Sequence, residues 1–208
     1  DSLYLPQMRA YSQVATAVAP SIDVNSPQMT WLVNYLRDHK TVIDGTFNLW
    51  IGGGGASVGA GGSTDQQKAD SAYMNLIRKL YAGGVQLVAG TDNSSGSTYR
   101  RELEMYELAG IPRAKILQIA TLDAARFMKE ANDYGSVSVG KVADILVVGG
   151  KPMEKIGELQ KIETVVRGGR LYKVSELQKL AFPRPASGAS AAEGMTTAWW
   201  LGGPDDDH

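Results

Sequence analysis

One stretch, Val85 to Gly110, constrains the fold more than any other: VQLVAGTDNSSGSTYRRELEMYELAG. Val85, Leu87 and Val88 form an apolar run too short for a helix and suited to a strand buried on both faces. The run ends at Gly90-Thr91-Asp92, and a Ser/Gly loop follows. From Tyr99 the period changes. Tyr99, Leu103, Tyr106 and Gly110 share one face at helical spacing, with Arg100, Arg101, Glu102 and Glu104 mostly elsewhere. The order is strand, polar tip, helix, and the tip carries a lone acid at the carboxyl end of a buried strand. Ligands gather at that end in parallel α/β folds. The same aspartate could equally open an Asx-turn, and this stretch alone supports both readings.

With 208 residues, the chain can build one domain, or one and a half, around a real core. Its formal charge of −1 points neither to nucleic acid nor to an anionic membrane surface. The absence of Cys rules out disulfides and thiolate metal sites and leaves the redox compartment open. No apolar run approaches the roughly 20 residues of a membrane span, and no charged-then-apolar signal segment opens the sequence. The expectation is a soluble protein, cytoplasmic or exported. The sequence starts at Asp1 and not at Met, which suggests that something preceded it.

Residues 1–20 are Ala/Val-rich, with Met8, Tyr11, Val14, Ala15 and Val18 at helical spacing, closed by Pro20. Ser26 as N-cap and Pro27 at the first position begin a helix with Trp31, Leu32, Tyr35 and Leu36 as its expected buried face. Arg37, His39 and Lys40 suit the end of that helix. Thr41 to Trp50, TVIDGTFNLW, reads as a strand. The Gly-rich stretch after it is a mobile loop. It is not a phosphate loop, because no Gly-Lys-Ser/Thr follows, but it could cover a site as a lid. Ser63 or Thr64 caps a helix to about Ala82, with Ala69, Tyr73, Leu76, Ile77 and Leu80 inward, and Gly83-Gly84 ends it.

After Gly110 two helices are expected. One begins near Pro112 and includes Ile116, Leu117 and Ile119. The other begins after Thr121 as N-cap and carries Leu122, Ala125, Phe127 and Met128. From Tyr134 the pattern becomes β: GSVSVGKVADILVVGGKP holds a strand at Ile145–Val148, and ETVVRGGRLYKV reads as a hairpin turning at Gly168-Gly169. Beyond Leu180 the Pro-, Ala-, Ser- and Gly-rich tail reads as irregular, with Trp199 and Trp200 as possible anchors. Asp144 reads as a turn organiser, and Glu102 and Glu104 as first-turn acids favoured by the helix dipole.

Taken in order, several strings resemble the C-terminal part of a metal-dependent amidohydrolase of the imidazolonepropionase-like or Xaa-Pro dipeptidase-like branch. They are Gly-Thr-Asp, Glu-Leu-x-x-x-x-x-Ala-Gly-Ile-Pro, Ala-Thr-Leu-x-x-Ala-Arg and Gly-Lys-x-Ala-Asp, within about residues 28–173. The resemblance implies an α/β fold: the C-terminal portion of a (β/α)8 TIM barrel, strands 7 and 8 with their helices, plus part of a small β-sandwich. Residues 1–133 would be the barrel portion, 134–180 the sandwich portion and 181–208 a mostly irregular tail. Thr41–Trp50 would be the seventh barrel strand and Val85–Asp92 the eighth. The implied cofactor is a divalent metal, usually zinc, mononuclear or binuclear. Asp92 takes the family's role of metal ligand and acceptor of a proton from the metal-bound water that attacks an amide or related carbonyl. No other cofactor is implied.

The chain departs from the family pattern in its other ligands. The family uses a His-x-His on the first strand, a carboxylated Lys on the fourth and a His on each of the fifth and sixth, whereas this chain has two His in all. Neither His39, at a helix end, nor His208, at the chain end, falls on a ligand position. Close relatives often have His where Arg100 stands. Arg100 and Arg101 are candidates for contacting a substrate carboxylate, with a solvated helix start as the plainer account. One carboxylate cannot hold a catalytic zinc, which typically needs three protein ligands. The expected partners are a small-molecule or short peptide substrate, and the N-terminal part of the barrel or another copy, with no nucleic acid or membrane.

A second class remains: a non-catalytic binding or assembly module derived from such a hydrolase. A serine nucleophile at Ser94, Ser95 or Ser97 is disfavoured, since no Gly-x-Ser-x-Gly elbow is present.

Overall fold

The computed structural model describes residues 13–51, 63–92 and 96–181. Met8, Tyr11, the Gly-rich loop at 52–62, Ser94, Ser95 and the tail with Trp199 and Trp200 lie outside them. The described chain is α/β. Helical residues 13–18 (α1) run into a 3-10 turn at Ala19–Ser21. Then come α2 (Pro27–Asp38), β1 (Val42–Asp44), α3 (Thr64–Ala82), β2 (Gln86–Val88) and α4 (Gly96–Leu108). They are followed by α5 (Arg113–Gln118), α6 (Ala124–Phe127), β3 (Ile145–Val148), β4 (Ile162–Arg167), β5 (Arg170–Lys173) and α7 (Val174–Ala181).

β1 and β2 pair in parallel, Val42 opposite Gln86 and Asp44 opposite Val88. A parallel pair requires a crossover connection, which α3 supplies. α3 begins where expected: the Ser63 hydroxyl accepts from the Gln66 amide at 3.3 Å. Leu87 and Val88 point to opposite faces of β2 and both are buried, so this strand is covered on two sides. Ile77, Leu80, Leu103, Met105, Tyr106, Ile116 and Ile119 fill the core around the pair.

Several expectations are corrected here. The strand expected over Thr41–Trp50 ends at Asp44. Gly45 and a left-handed Thr46 (φ 42°) turn the chain into a 3-10 turn at Phe47–Leu49. α2 begins at its Ser26 cap as read, but Val33 is the buried residue, with Met29 and Leu36 packed beside it. Trp31, Leu32 and Tyr35 are exposed, and Trp31, Tyr35 and His39 stack in succession at centroid distances of 5.3 and 3.9 Å. Val14 and Val18 of α1 also face outward.

The helix break expected at Thr121 does not occur. α5 passes through a π-helical turn, Ile119–Asp123, into α6, and the Thr121 hydroxyl donates back to the Leu117 carbonyl at 2.7 Å. Phe127 and Met128 are exposed, while Ala125 is the buried residue of α6.

β3, β4 and β5 form an antiparallel sheet in that order. The β4–β5 connection turns at Gly168 and Gly169, with φ 55° and 80°, as a two-residue hairpin of the I′ kind requires. Asp144 organises this turn: its Oδ1 accepts from the Gly168 amide at 2.6 Å and its Oδ2 pairs with Arg167 at 3.1 Å. A 3-10 turn at Ile156–Gln160 ties the sheet to the rest. Its amide at Ile156 donates to Glu107 Oε2 of α4 at 3.1 Å, and the Ile156 side chain is wholly buried in the main core. Ile156→Ala should therefore destabilise the whole described fold by about 2–5 kcal/mol, read as a lower urea midpoint in one shared transition.

Candidate functional site

Because β1 and β2 are parallel, their carboxyl ends lie on one side, and the turns that follow them are neighbours. The turn after β1 runs from Asp44 through left-handed Thr46 to the buried Asn48. A positive φ is strained for a β-branched residue and persists only where its surroundings fix it. The turn after β2 runs Ala89-Gly90-Thr91-Asp92, and Asp92 is again left-handed, with φ 46°. Two non-glycine residues in this rare conformation thus stand at the same end of the pair.

α4 holds both turns. Glu102 is fully buried, with 0% exposure. Its Oε2 accepts from the Asn48 amide at 2.7 Å and from Asn48 Nδ2 at 3.2 Å. Asn48 Nδ2 also reaches the Gly90 carbonyl at 3.4 Å. One helical turn on, the Tyr106 hydroxyl donates to the Val88 carbonyl at 2.8 Å. Desolvation pushes the Glu102 carboxyl up, against the lowering effect of the Asn48 backbone and side-chain donors. Burial, with the Glu102 charge beside it, pushes the Tyr106 phenol up as well.

Asp92 is exposed at the tip. Arg100 pairs with Glu104 at 3.5 Å along α4. Arg101 donates through a terminal guanidinium nitrogen to the Ile51 carbonyl at 3.2 Å, just before the Gly-rich loop. A further acid, Asp44, ends β1 on the exposed side of the pair, and its carboxylate occupies the space that a Cβ at Gly90 would need. Among the described residues no group of three or more His, Cys, Asp or Glu could hold a metal. His39 is remote in role: it caps α2, with Nδ1 2.8 Å from the Tyr35 carbonyl.

Glu102 corrects the sequence reading most. It sits in the second turn of α4, which has no acid in its first turn, and it serves the core and not the helix dipole. Sequence reasoning also passed over Asn48 and Asp44. Asn48 was visible as a polar residue inside the apolar run Phe47-Asn48-Leu49-Trp50, and Glu102 and Tyr106 as an i, i+4 pair on one helix face.

Residues 11–172 match the amidohydrolase family. The chain belongs to that family. Among solved structures it is similar to a Xaa-Pro dipeptidase with bound methionine in the active site. That match has 30% identity over 52% of this chain and 27% of the other, with a TM-score of 0.48. An amidohydrolase structure matches at 20% identity over 68% of this chain and 36% of its own, with a TM-score of 0.53. A prolidase complexed with N-methylphosphonate-L-proline matches at 21% identity over 69% and 38%, with a TM-score of 0.51. The last two show a shared fold. The chain spans 27% to 38% of the length of these three proteins. No curated protein matches it. No helix of the described residues is long and apolar enough to cross a membrane.

The raised Glu102 pKa has a sign that can be measured. Above the ordinary glutamate range the unfolded chain has released this proton while the folded state still holds it. The associated stability is therefore complete below that range and is lost as pH rises through the higher folded value. Glu102→Gln keeps an acceptor for Asn48 and cannot titrate. Its urea midpoint should gain on that of the wild type as the pH rises above the ordinary glutamate range, about pH 4. A constant difference over that rise would mean that Glu102 titrates as an ordinary carboxyl.

Proposed function

We propose that this chain is the C-terminal part of a metal-dependent hydrolase that cleaves an amide or other C–N bond in a small molecule or short peptide. In this reading β1 and β2 are the seventh and eighth strands of a (β/α)8 barrel, and β3–β5 belong to a small β-sandwich. Residues 1–133 are the barrel portion and 134–180 the sandwich portion, with 181–208 following them. The observation that carries the reading is the parallel β1–β2 pair presenting Asp92 at its carboxyl end, in a chain of the amidohydrolase family. Catalytic residues of such barrels come from the carboxyl ends of several different strands.

Asp92 supplies one carboxylate of the site. The described residues do not fit a divalent metal by themselves, since a catalytic zinc typically takes three protein ligands. The remaining ligands, with zinc the expected metal, would come from the N-terminal part of the barrel or from another copy. The open edge of β2 supports this. Among the described residues β1 and β2 pair only with each other, so each has a strand partner on one side only, and a cleft of about 460 Å³ lies against the pair, lined by Val42, Val85, Leu87, Lys115, Gln118 and Asp123. In this reading Arg100 and Arg101, at the start of α4, contact a substrate carboxylate, Arg100 in exchange for Glu104 and Arg101 in exchange for the Ile51 carbonyl.

The second reading, a non-catalytic binding or assembly module, is favoured by the lack of a ligand cluster among the described residues. A denaturing mass spectrum and a metal count of the purified protein discriminate. The hydrolase reading expects a second polypeptide, or a longer chain, together with bound metal. In that assembly Asp92→Asn should lower amide hydrolysis about 10²–10⁴-fold. A single species at the mass of the 208 residues, without bound metal, would favour the module. Zinc added to the 208-residue chain alone should give no amidase activity.

A further inference from the structure

We infer that Glu102 is a positioning residue for Asp92, acting through Asn48 while Tyr106 fixes the strand below, so that one helix clamps both turns. The inference rests on the reading of Asp92 as the site acid. Asp92 stands on a short stem, Val88 to Thr91, after the last paired residue of β2. Tyr106 grips the base of that stem at the Val88 carbonyl, and Asn48 Nδ2 reaches its middle at the Gly90 carbonyl. Asn48 can do this only while the 3-10 turn after β1 stays in place. That turn follows a strained Thr46, and its buried amide at Asn48 is satisfied by Glu102 Oε2. A strained turn requires over-determination by its surroundings, and a carboxylate taking two donors from one residue provides it.

Packing alone does not account for the arrangement. Asn48, Asp70 and Glu102 are the buried polar side chains among the described residues, and two of the three meet each other here. Asp70 accepts from Gln66, four residues before it, at 2.7 Å. Glu102 instead joins segments 54 positions apart in sequence, and a Leu or Met of similar size would fill the space without joining anything. Gly90 completes the clamp: with no Cβ, it lets the Asp44 carboxylate of the neighbouring strand lie against the stem.

The test is ¹⁵N relaxation on the labelled 208-residue chain. In the wild type the Thr91 and Asp92 amides should give order parameters near 0.85, the rigid-backbone value, and in Asn48→Ala and Glu102→Leu they should fall below about 0.6. Glu102→Gln, which keeps the acceptor, should restore the rigid value. The Leu80 and Ile116 amides, in the core away from the clamp, should not change in any variant. If Glu102→Leu does not fold, Asn48→Ala carries the test. Equal values at Thr91 and Asp92 in wild type and Asn48→Ala would overturn the inference, as would a loss spread equally over the core amides. The measurement needs neither metal nor turnover, so its failure would leave the Asp92 reading standing, and the Asp92→Asn assay above decides that reading separately. In the assembled enzyme Asn48→Ala should lower kcat by up to about 10²-fold with little change in KM, the mark of misplacement and not of lost substrate binding.

Discussion

A carboxylate with no exposure, in the middle of α4, is the contact on which the carboxyl ends of both parallel strands depend. Burying such a group is costly unless its oxygens find donors. Asn48 supplies two donors to Oε2, while Oε1 has no hydrogen-bond partner within bonding distance. The result is a half-satisfied acid whose pKa rises. Natural cores fill such positions with Leu or Met at lower cost. What the acid provides that Leu cannot is direction: it fixes which turn lies against the helix and by which amide.

That direction matters because the parallel pair is only three residues long on each strand. Three paired residues offer little of their own stability, and an isolated pair of strands is marginal even when it is longer. The pair is held from outside, by Ile77 and Leu80 of α3 on one hand and Leu103, Met105 and Tyr106 of α4 on the other. The β3–β5 sheet joins the same scaffold at a distance, through Ile156 and the Glu107 carboxylate that accepts its amide. α4 therefore serves three tasks with three sets of residues: Leu103 and Met105 pack, Glu102 and Tyr106 fix the strand ends, and Glu107 receives the sheet. Half-buried Arg100 pairs with Glu104 along the same helix.

Much of this was legible in the chain, and the rest was hidden for identifiable reasons. β2, the α3 cap at Ser63, the α2 cap at Ser26 and the Gly168-Gly169 hairpin follow from local rules, because caps, tight turns and short apolar runs are decided within a few residues. The face of α2 was not decided locally. Trp31, Leu32 and Tyr35 make one apolar stripe, Met29, Val33 and Leu36 another, and both satisfy the same helical period; which one turns inward depends on what α3 and Gly83 present to it. The π turn was hidden because Thr121 donates backward to Leu117 as readily as it would cap a new helix. Glu102 was hidden because an acid near a helix start is usually explained by the dipole, and only the fold shows Asn48 opposite it. The position of Asp92, as an acid after a buried strand, was legible from the run Val85 to Val88 and the Gly90-Thr91-Asp92 that follows it.

The exposed features carry a consistent argument about what surrounds the chain. Two strands cannot enclose a barrel core, and an unprotected strand edge invites pairing. Among the described residues β1 and β2 have no strand partner but each other, and the Trp31–Tyr35–His39 stack lies exposed on α2, the helix that leads into β1. A self-sufficient small fold would be expected to shield such an edge with charge, proline or a covering segment. This one instead spends buried polar contacts on the turn after β1 and the stem after β2, at the end of the pair where Asp44 and Asp92 stand. Precise placement of a single carboxylate has a physical use only when other groups converge on the same point. In the proposed barrel those groups arrive on the strands that pair with the free sides of β1 and β2, so among the described residues the incomplete sheet and the acid at its carboxyl end belong to one requirement.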